Sequence, residues 1–171
     1  MNRLEVFFDY ACPFCHTGHE YLKEIAEEYP QLQIVWRPCE AHPRPEKYGP
    51  HSDLCIRGMF YAADCGADLW KYHDLMYKAA LSAKYDIEKP DILAEVVSEI
   101  FEPKTFFEML KSEKYKNELI AANQQAWGEM EFSAVPSFVM NGEKLESVEN
   151  IGVTKNRLKS FIFSKNNLKM T

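Results

Sequence analysis

The chain opens on an apolar run, Leu4-Glu5-Val6-Phe7-Phe8, whose β-favouring residues predict a buried strand. Gly18, Tyr21, Leu22, Ile25 and Tyr29 then recur at helical spacing, predicting a helix from Pro13 to about Tyr29 that stops before Pro30. Gln33-Ile34-Val35-Trp36-Arg37-Pro38 reads as a second strand. Strand, helix, strand at this length makes a βαβ unit with parallel strands. The stretch from Cys39 to Pro50, with Pro43, Pro45 and Pro50 following Pro38, predicts a linker loop.

From about Asp53 to Glu129 the pattern turns helical. Leu54, Met59, Phe60 and Ala63 form one stripe, and Leu69, Trp70, His73, Met76, Tyr77 and Ala80 a longer one. Asp86 to Pro90 is a turn into Ile92, Val96 and Ile100; Pro103 opens a helix through Phe106, Phe107 and Leu110; Tyr115 to Met130 is helical again, with Leu119, Ala122 and Trp127. Strands return at Ser133 to Met140, which runs into Asn141-Gly142, a strong two-residue hairpin signal, and Glu143 to Val148 is the returning strand. Gly152 and Thr154 lead into a last helix with Leu158, Phe161 and Ile162 on one face. An antiparallel hairpin thus completes a small mixed sheet. No fixed-period repeat or low-complexity segment interrupts it.

Composition narrows the picture. At 171 residues, 46% hydrophobic and 13% aromatic, the chain has ample material for one packed domain. A formal charge of −6 argues against nucleic-acid binding. No run approaches the roughly 18 apolar residues of a membrane span. Met1-Asn2-Arg3 leads straight into a strand, so no signal peptide and a cytoplasmic location are expected. The five cysteines show no dense disulfide framework, which suits a reducing compartment.

The candidate chemistry lies at Phe8-Asp9-Tyr10-Ala11-Cys12-Pro13-Phe14-Cys15-His16, between the first strand and its helix. Pro13 fits the first helical position, where its missing N–H is no loss. Cys12 therefore sits at the positive end of a helix dipole, which favours thiolate over thiol. Cys15, one turn on, is close enough to attack a mixed disulfide at Cys12. His16, four residues after Cys12, can stabilise that thiolate when protonated, or be a solvated surface histidine. Asp9 is a candidate proton acceptor near the pair, or a strand-end carboxylate capping the turn.

That order, with a dithiol after the first strand, Trp36-Arg37-Pro38, Asp86-Ile87 and Val135-Pro136-Ser137-Phe138-Val139, resembles the DsbA-like thioredoxin-fold family. Within it the chain is similar to the cytoplasmic branch related to 2-hydroxychromene-2-carboxylate isomerase. The resemblance implies an α/β thioredoxin-like core over residues 1–48 and 131–171, with an all-helical insertion over 49–130. It implies a thiol–disulfide oxidoreductase in which Cys12 is the exposed nucleophile and Cys15 the buried resolving thiol. Pro136 would follow a cis bond beside the dithiol, leaving the Val135 backbone free to pair with a bound peptide. Pro13 and Phe14 would tune redox poise and meet substrate. No cofactor is required, with glutathione as a possible co-substrate and a thiol- or disulfide-bearing protein or small molecule as partner. The alternative is a glutathione-dependent transferase or isomerase of the kappa type, a group that typically presents serine where Cys12 stands.

Two rivals rest on the same residues. Cys12-Pro13-Phe14-Cys15-His16 matches the C-x-x-C-H pattern of c-type haem attachment, which normally requires export. Cys12, Cys15, His16 and His19 share a helical face, but one helix does not readily enclose zinc; no metal site is expected. Cys39, Cys55 and Cys65 read as buried small hydrophobes, with a second redox pair between Cys55 and Cys65 as the alternative. Trp70, Met76 and Phe107 read as core.

Overall fold

The computed structural model describes residues 2–166. Four strands form one sheet in the order β2-β1-β3-β4: β1 (Arg3–Phe8), β2 (Gln33–Pro38), β3 (Ser137–Met140) and β4 (Glu143–Leu145). β1 runs parallel to β2, from Arg3 opposite Gln33 to Phe8 opposite Pro38, and antiparallel to β3, with Val6 opposite Phe138. The parallel pair is joined by α1 (Pro13–Glu28), as a crossover requires. Asn141 and Gly142 both take positive φ, 52° and 80°, which a two-residue turn between twisted strands needs.

Between β2 and β3 lie only helices: α2 (Asp53–Asp64), α3 (Leu69–Tyr77), α4 (Pro90–Val96), α5 (Pro103–Lys111) and α6 (Lys116–Asn123). α3 continues as a π-helical turn through Ser82, and α6 as another through Glu129. The last helix, α7 (Lys155–Asn166), packs beside α1 and buries Leu158 and Ile162. This is an α/β thioredoxin-like architecture with a helical insertion.

Alternation along β1 decides which layer covers which face. Val6 and Phe8 look one way, with Trp36 of β2 and Phe138 of β3 beside them. α1 and α3 pack on that face. Phe8 meets His73 and Tyr77, Trp36 meets Trp70 and His73, and Gly18 lets α1 approach Pro136 and Phe138. A Cβ at Gly18 would stand 3.2 Å from the Pro136 ring. The opposite face carries Phe7 against Phe132 and the ion pair of Glu5 with Arg37, 2.8 Å.

Three elements are shorter than the sequence pattern predicts. β3 begins at Ser137, not Ser133: Pro136 has no N–H to give a ladder, and Ser137 Oγ donates instead to the Ala134 carbonyl, 2.8 Å. β4 ends at Leu145, and Val148 bridges to Gly152 within the loop that follows. Ile100 leaves the α4 pattern, because Val97 to Phe101 fold into turns closed by bonds to the Glu95 and Val97 carbonyls.

Candidate active site

α1 begins by using Cys12 as its N-cap. The residue is extended (φ −101°, ψ 115°), and its Sγ accepts the Cys15 N–H at 3.2 Å, the place a serine or aspartate oxygen usually takes. The Cys15 thiol also donates to that sulfur, the strongest influence holding the Cys12 thiol below its ordinary value of 9.0. The N–H groups of Cys15 and Phe14 add to it, against partial burial and the nearby Asp9 charge. Cys15 is its opposite. It is 1% exposed, and burial pushes its thiol well above 9.0, with the bond to Cys12 adding to the rise. Its Sγ accepts the Asp9 N–H at 3.4 Å. Both cysteines are free thiols, so the first is a half-exposed sulfur poised to ionise and the second a buried one that donates to it.

Asp9 lies beneath this pair. One carboxylate oxygen accepts the Ala11 N–H at 3.0 Å and closes the turn into α1; the other accepts the Ala41 N–H at 2.8 Å. Burial nonetheless raises its pKa above the ordinary 3.8, the Ser52 hydroxyl and these two N–H groups pulling the other way. Asp9 is thus both the turn cap and a buried acid acting electrostatically on both thiols.

Next along the chain, Glu40 binds the β2–α2 loop to α6. Its N–H donates to Asn123 Oδ1 at 2.7 Å, Asn123 Nδ2 donates back to Glu40 Oε2 at 2.8 Å, and Trp127 Nε1 donates to the Glu40 carbonyl at 2.8 Å. Burial raises the Glu40 pKa as well, and its Oε1 has no hydrogen-bond partner among the described residues. The loop so held forms one wall of a 570 Å³ groove beside Cys12, with Ala41, His42, Pro43 and Glu46. Trp127, Ser133, Ala134 and Val135 form the other.

The Val135–Pro136 bond is cis, and the Val135 carbonyl accepts from Cys12 Sγ at 3.7 Å, placing both residues against the dithiol. Pro13 and Phe14 are exposed on the far side. The Phe14 ring, 40% exposed, lies over Gly152, where a Cβ would meet it at 3.1 Å; Gly152 also has φ +74°. With Val148 and Ile151, both exposed, Phe14 makes an apolar rim.

Of the remaining sequence candidates, His16 stacks on Tyr77 at 5.1 Å and faces Glu20 across 3.8 Å. His19 is buried and commits its Nε2 to Asp74 at 2.8 Å, so the one-face set with Cys12 and Cys15 is not assembled. Cys39 and Cys55 are fully buried as expected, and burial raises both thiols. Cys65 is exposed at the end of α2, contrary to the buried reading. It also stands ten residues from Cys55 on the same helix, roughly 15 Å at 1.5 Å per residue, too far for a disulfide. Trp70 and Met76 join the core. The groove wall from Ala41 to Glu46 was not legible as a site. Its one signal is length, since a long loop without secondary structure inside a compact domain is commonly functional.

The DSBA-like thioredoxin domain matches residues 3–159, and the chain belongs to that family. The Bacillus subtilis protein YwbO, itself uncharacterized, is 23% identical over 173 residues, covering 80% of this chain and 86% of that protein. A probable DsbA oxidoreductase from Streptomyces coelicolor superposes with a TM-score of 0.78 at 14% identity, over 99% of this chain and 92% of that one. A 2-hydroxychromene-2-carboxylate isomerase superposes at 0.72 and 14%, over 96% and 95%. At such identities the likeness is one of fold. No helix of the described residues is long and apolar enough to cross a membrane.

Proposed function

We propose that the chain is a thiol–disulfide oxidoreductase working through a mixed disulfide at Cys12. One observation carries the reading: two thiols one helical turn apart are driven in opposite directions, Cys12 toward thiolate and Cys15 toward thiol. In the reducing direction the Cys12 thiolate attacks a substrate disulfide and expels one substrate thiolate. Cys15 then gives up its proton and attacks Cys12 Sγ, releasing the second substrate thiolate. The protein ends as the Cys12–Cys15 disulfide and the substrate has gained two electrons. Oxidation of a dithiol is the same path reversed, and neither direction needs a cofactor.

In this reading the groove takes the substrate chain along the Val135 backbone, and Pro13 and Phe14 meet it on the other side of Cys12. Asp9 and His16 would modulate the thiols, and the core of residues 1–48 and 131–171 would carry the chemistry beneath an insertion of 49–130. A thiolate favoured in the reduced form makes a more oxidising disulfide. A reducing cytoplasm would hold the pair as the dithiol, suiting reductase or isomerase work with glutathione as a possible co-substrate.

The test is insulin-disulfide reduction with dithiothreitol, comparing the native chain with Cys12→Ser and Cys15→Ser. Activity should vanish in Cys12→Ser, while Cys15→Ser should accumulate a mixed disulfide at Cys12. Glutathione binding or isomerase turnover in a protein without dithiol activity would move it to the kappa-type transferase group.

A further inference from the structure

The backbone beside Cys12 has little of the sheet to hold it. β3 begins only at Ser137, and Pro136 has no N–H to give a neighbouring strand. Val135 is nonetheless the residue whose carbonyl faces Cys12 Sγ, at 3.7 Å, while its N–H has no hydrogen-bond partner among the described residues. The carbonyls on either side of it are both taken by hydroxyls of this chain. Ser137 Oγ donates to the Ala134 carbonyl at 2.8 Å, and Ser147 Oγ donates to the Pro136 carbonyl.

The two hydroxyls reach this loop from different places. Ser137 is fully buried and stands opposite Phe7 in the ladder, so the sheet fixes it. Ser147 is half-buried and lies two residues beyond the end of β4. The loop that carries it closes immediately afterwards. Val148 and Gly152 exchange N–H···O bonds of 3.0 and 2.8 Å, and the Ile151 N–H donates to the Val148 carbonyl at 3.0 Å. At its far end Gly152 lies under the Phe14 ring. One short loop therefore touches both the residue between the cysteines and the carbonyl next to Val135.

We propose that Ser147 is a positioning residue for disulfides carried on an extended polypeptide. With Ser137 it withdraws the Ala134 and Pro136 carbonyls, so that of these three carbonyls only Val135's is left for a substrate strand. Once Cys12 has lost its thiol proton and entered a mixed disulfide, that carbonyl is released to accept, and the Val135 N–H beside it can donate. A strand added there meets one donor and one acceptor of a single residue, which fixes its register. Holding the loop in that shape beforehand spares part of the ordering cost of binding. The inference rests on the mixed-disulfide role of Cys12 proposed above and adds the class of substrate which that role serves.

The test mixes the pre-reduced full chain with two disulfides of different build. One is a peptide disulfide whose cysteine lies within an extended, end-blocked chain; the other is dithiobis(nitrobenzoate), which has no peptide backbone. Formation of the Cys12–Cys15 disulfide is followed by acid quench and mass spectrometry. Ser147→Ala should raise the half-saturating peptide concentration by roughly fivefold, the worth of one hydrogen bond, with the maximal rate changed less. Its rate with dithiobis(nitrobenzoate) should match the native chain's, and Ser147→Thr, which keeps the hydroxyl, should restore the peptide reaction. Ser137 is fully buried and its variant can fail for reasons of folding, so the half-buried Ser147 decides the matter. Equal losses with both disulfides would make Ser147 a support of the dithiol or of the fold, and no loss with either would make it idle. Each of these overturns the inference and leaves the role of Cys12 standing. A native chain that reacts with neither disulfide ends that role itself, and the inference with it.

Discussion

Arg57 and Asp9 are both charged side chains taken almost wholly out of water, each 3% exposed, and they are housed in opposite ways. Arg57, on α2, reaches the end of α5 and donates from all three guanidinium nitrogens: to the Lys114 carbonyl at 2.9 Å, Leu110 at 3.2 Å and Ser112 at 2.6 Å. Carbonyls orphaned where the helix stops thereby gain a donor, and the cation gains a full set of acceptors. Asp9 is less well compensated. Its two N–H donors do not offset burial, Glu40 nearby is also held toward its acid form, and Glu40 Oε1 and Asp53 Oδ1 have no hydrogen-bond partner among the described residues. A buried charge with all its bonds made serves the fold. Asp9, held toward its acid form beside the Cys12 thiol, is instead a buried charge whose bonds fall short of its burial.

The sharpest way to break the comparison is at Arg57. Arg57→Met fills similar volume but strips three carbonyls of their donor, and hydrogen bonds to charged groups are individually worth more than neutral ones. The expected loss is on the order of 3 kcal/mol of unfolding free energy, read by urea denaturation. The dithiol, on another part of the fold, should react with unchanged kinetics wherever the variant remains folded. A loss below about 1 kcal/mol would mean that water readily replaces the guanidinium, and the contrast with Asp9 would dissolve.

The two regions also differ in how far the sequence announces them. β1, α1 and β2 are legible because alternation and helical spacing are local properties of the chain, and Cys12 and Cys15 stand at their junction. Asn141-Gly142 is legible because two positive φ values ask for those residues. The groove is not, since its wall depends on Glu40 finding Asn123 across 83 residues, and Ala41 finding Asp9 across 32. Nothing in a proline-rich loop names such partners. Arg57 is hidden for the same reason: an arginine on a helix reads as a solvated face until α5 ends beside it. His19 looks like a companion of the dithiol by spacing alone, but burial against Trp70 and Tyr77 turns it toward Asp74.

A smaller effect is expected where the groove wall is tied down. Asn123→Ala removes both halves of the reciprocal bond with Glu40 and leaves the Trp127 contact in place. Stability should fall by about 1.5 kcal/mol. The catalytic signature should be a higher KM for a disulfide substrate with kcat changed less, because the wall moves while the thiols stay. A fall in kcat alone would place Glu40 in the chemistry instead of in the wall.

The finest adjustment lies at Asp9. Its negative charge opposes the Cys12 thiolate, so Asp9→Asn should shift the Cys12 transition to lower pH, followed by the ultraviolet absorbance of the thiolate against a Cys12→Ser blank. The sign extends to stability. Since folded Cys12 ionises below its ordinary 9.0, the unfolded chain binds more protons between the two values, and the reduced protein gains stability as pH rises across that window. Asp9→Asn should widen the window downward and make the disulfide more oxidising, while removing one acceptor from the Ala11 or Ala41 N–H. An upward movement would mean that Asp9 acts on Cys12 through the shape of the turn it caps, and that its charge serves the fold much as Arg57's does.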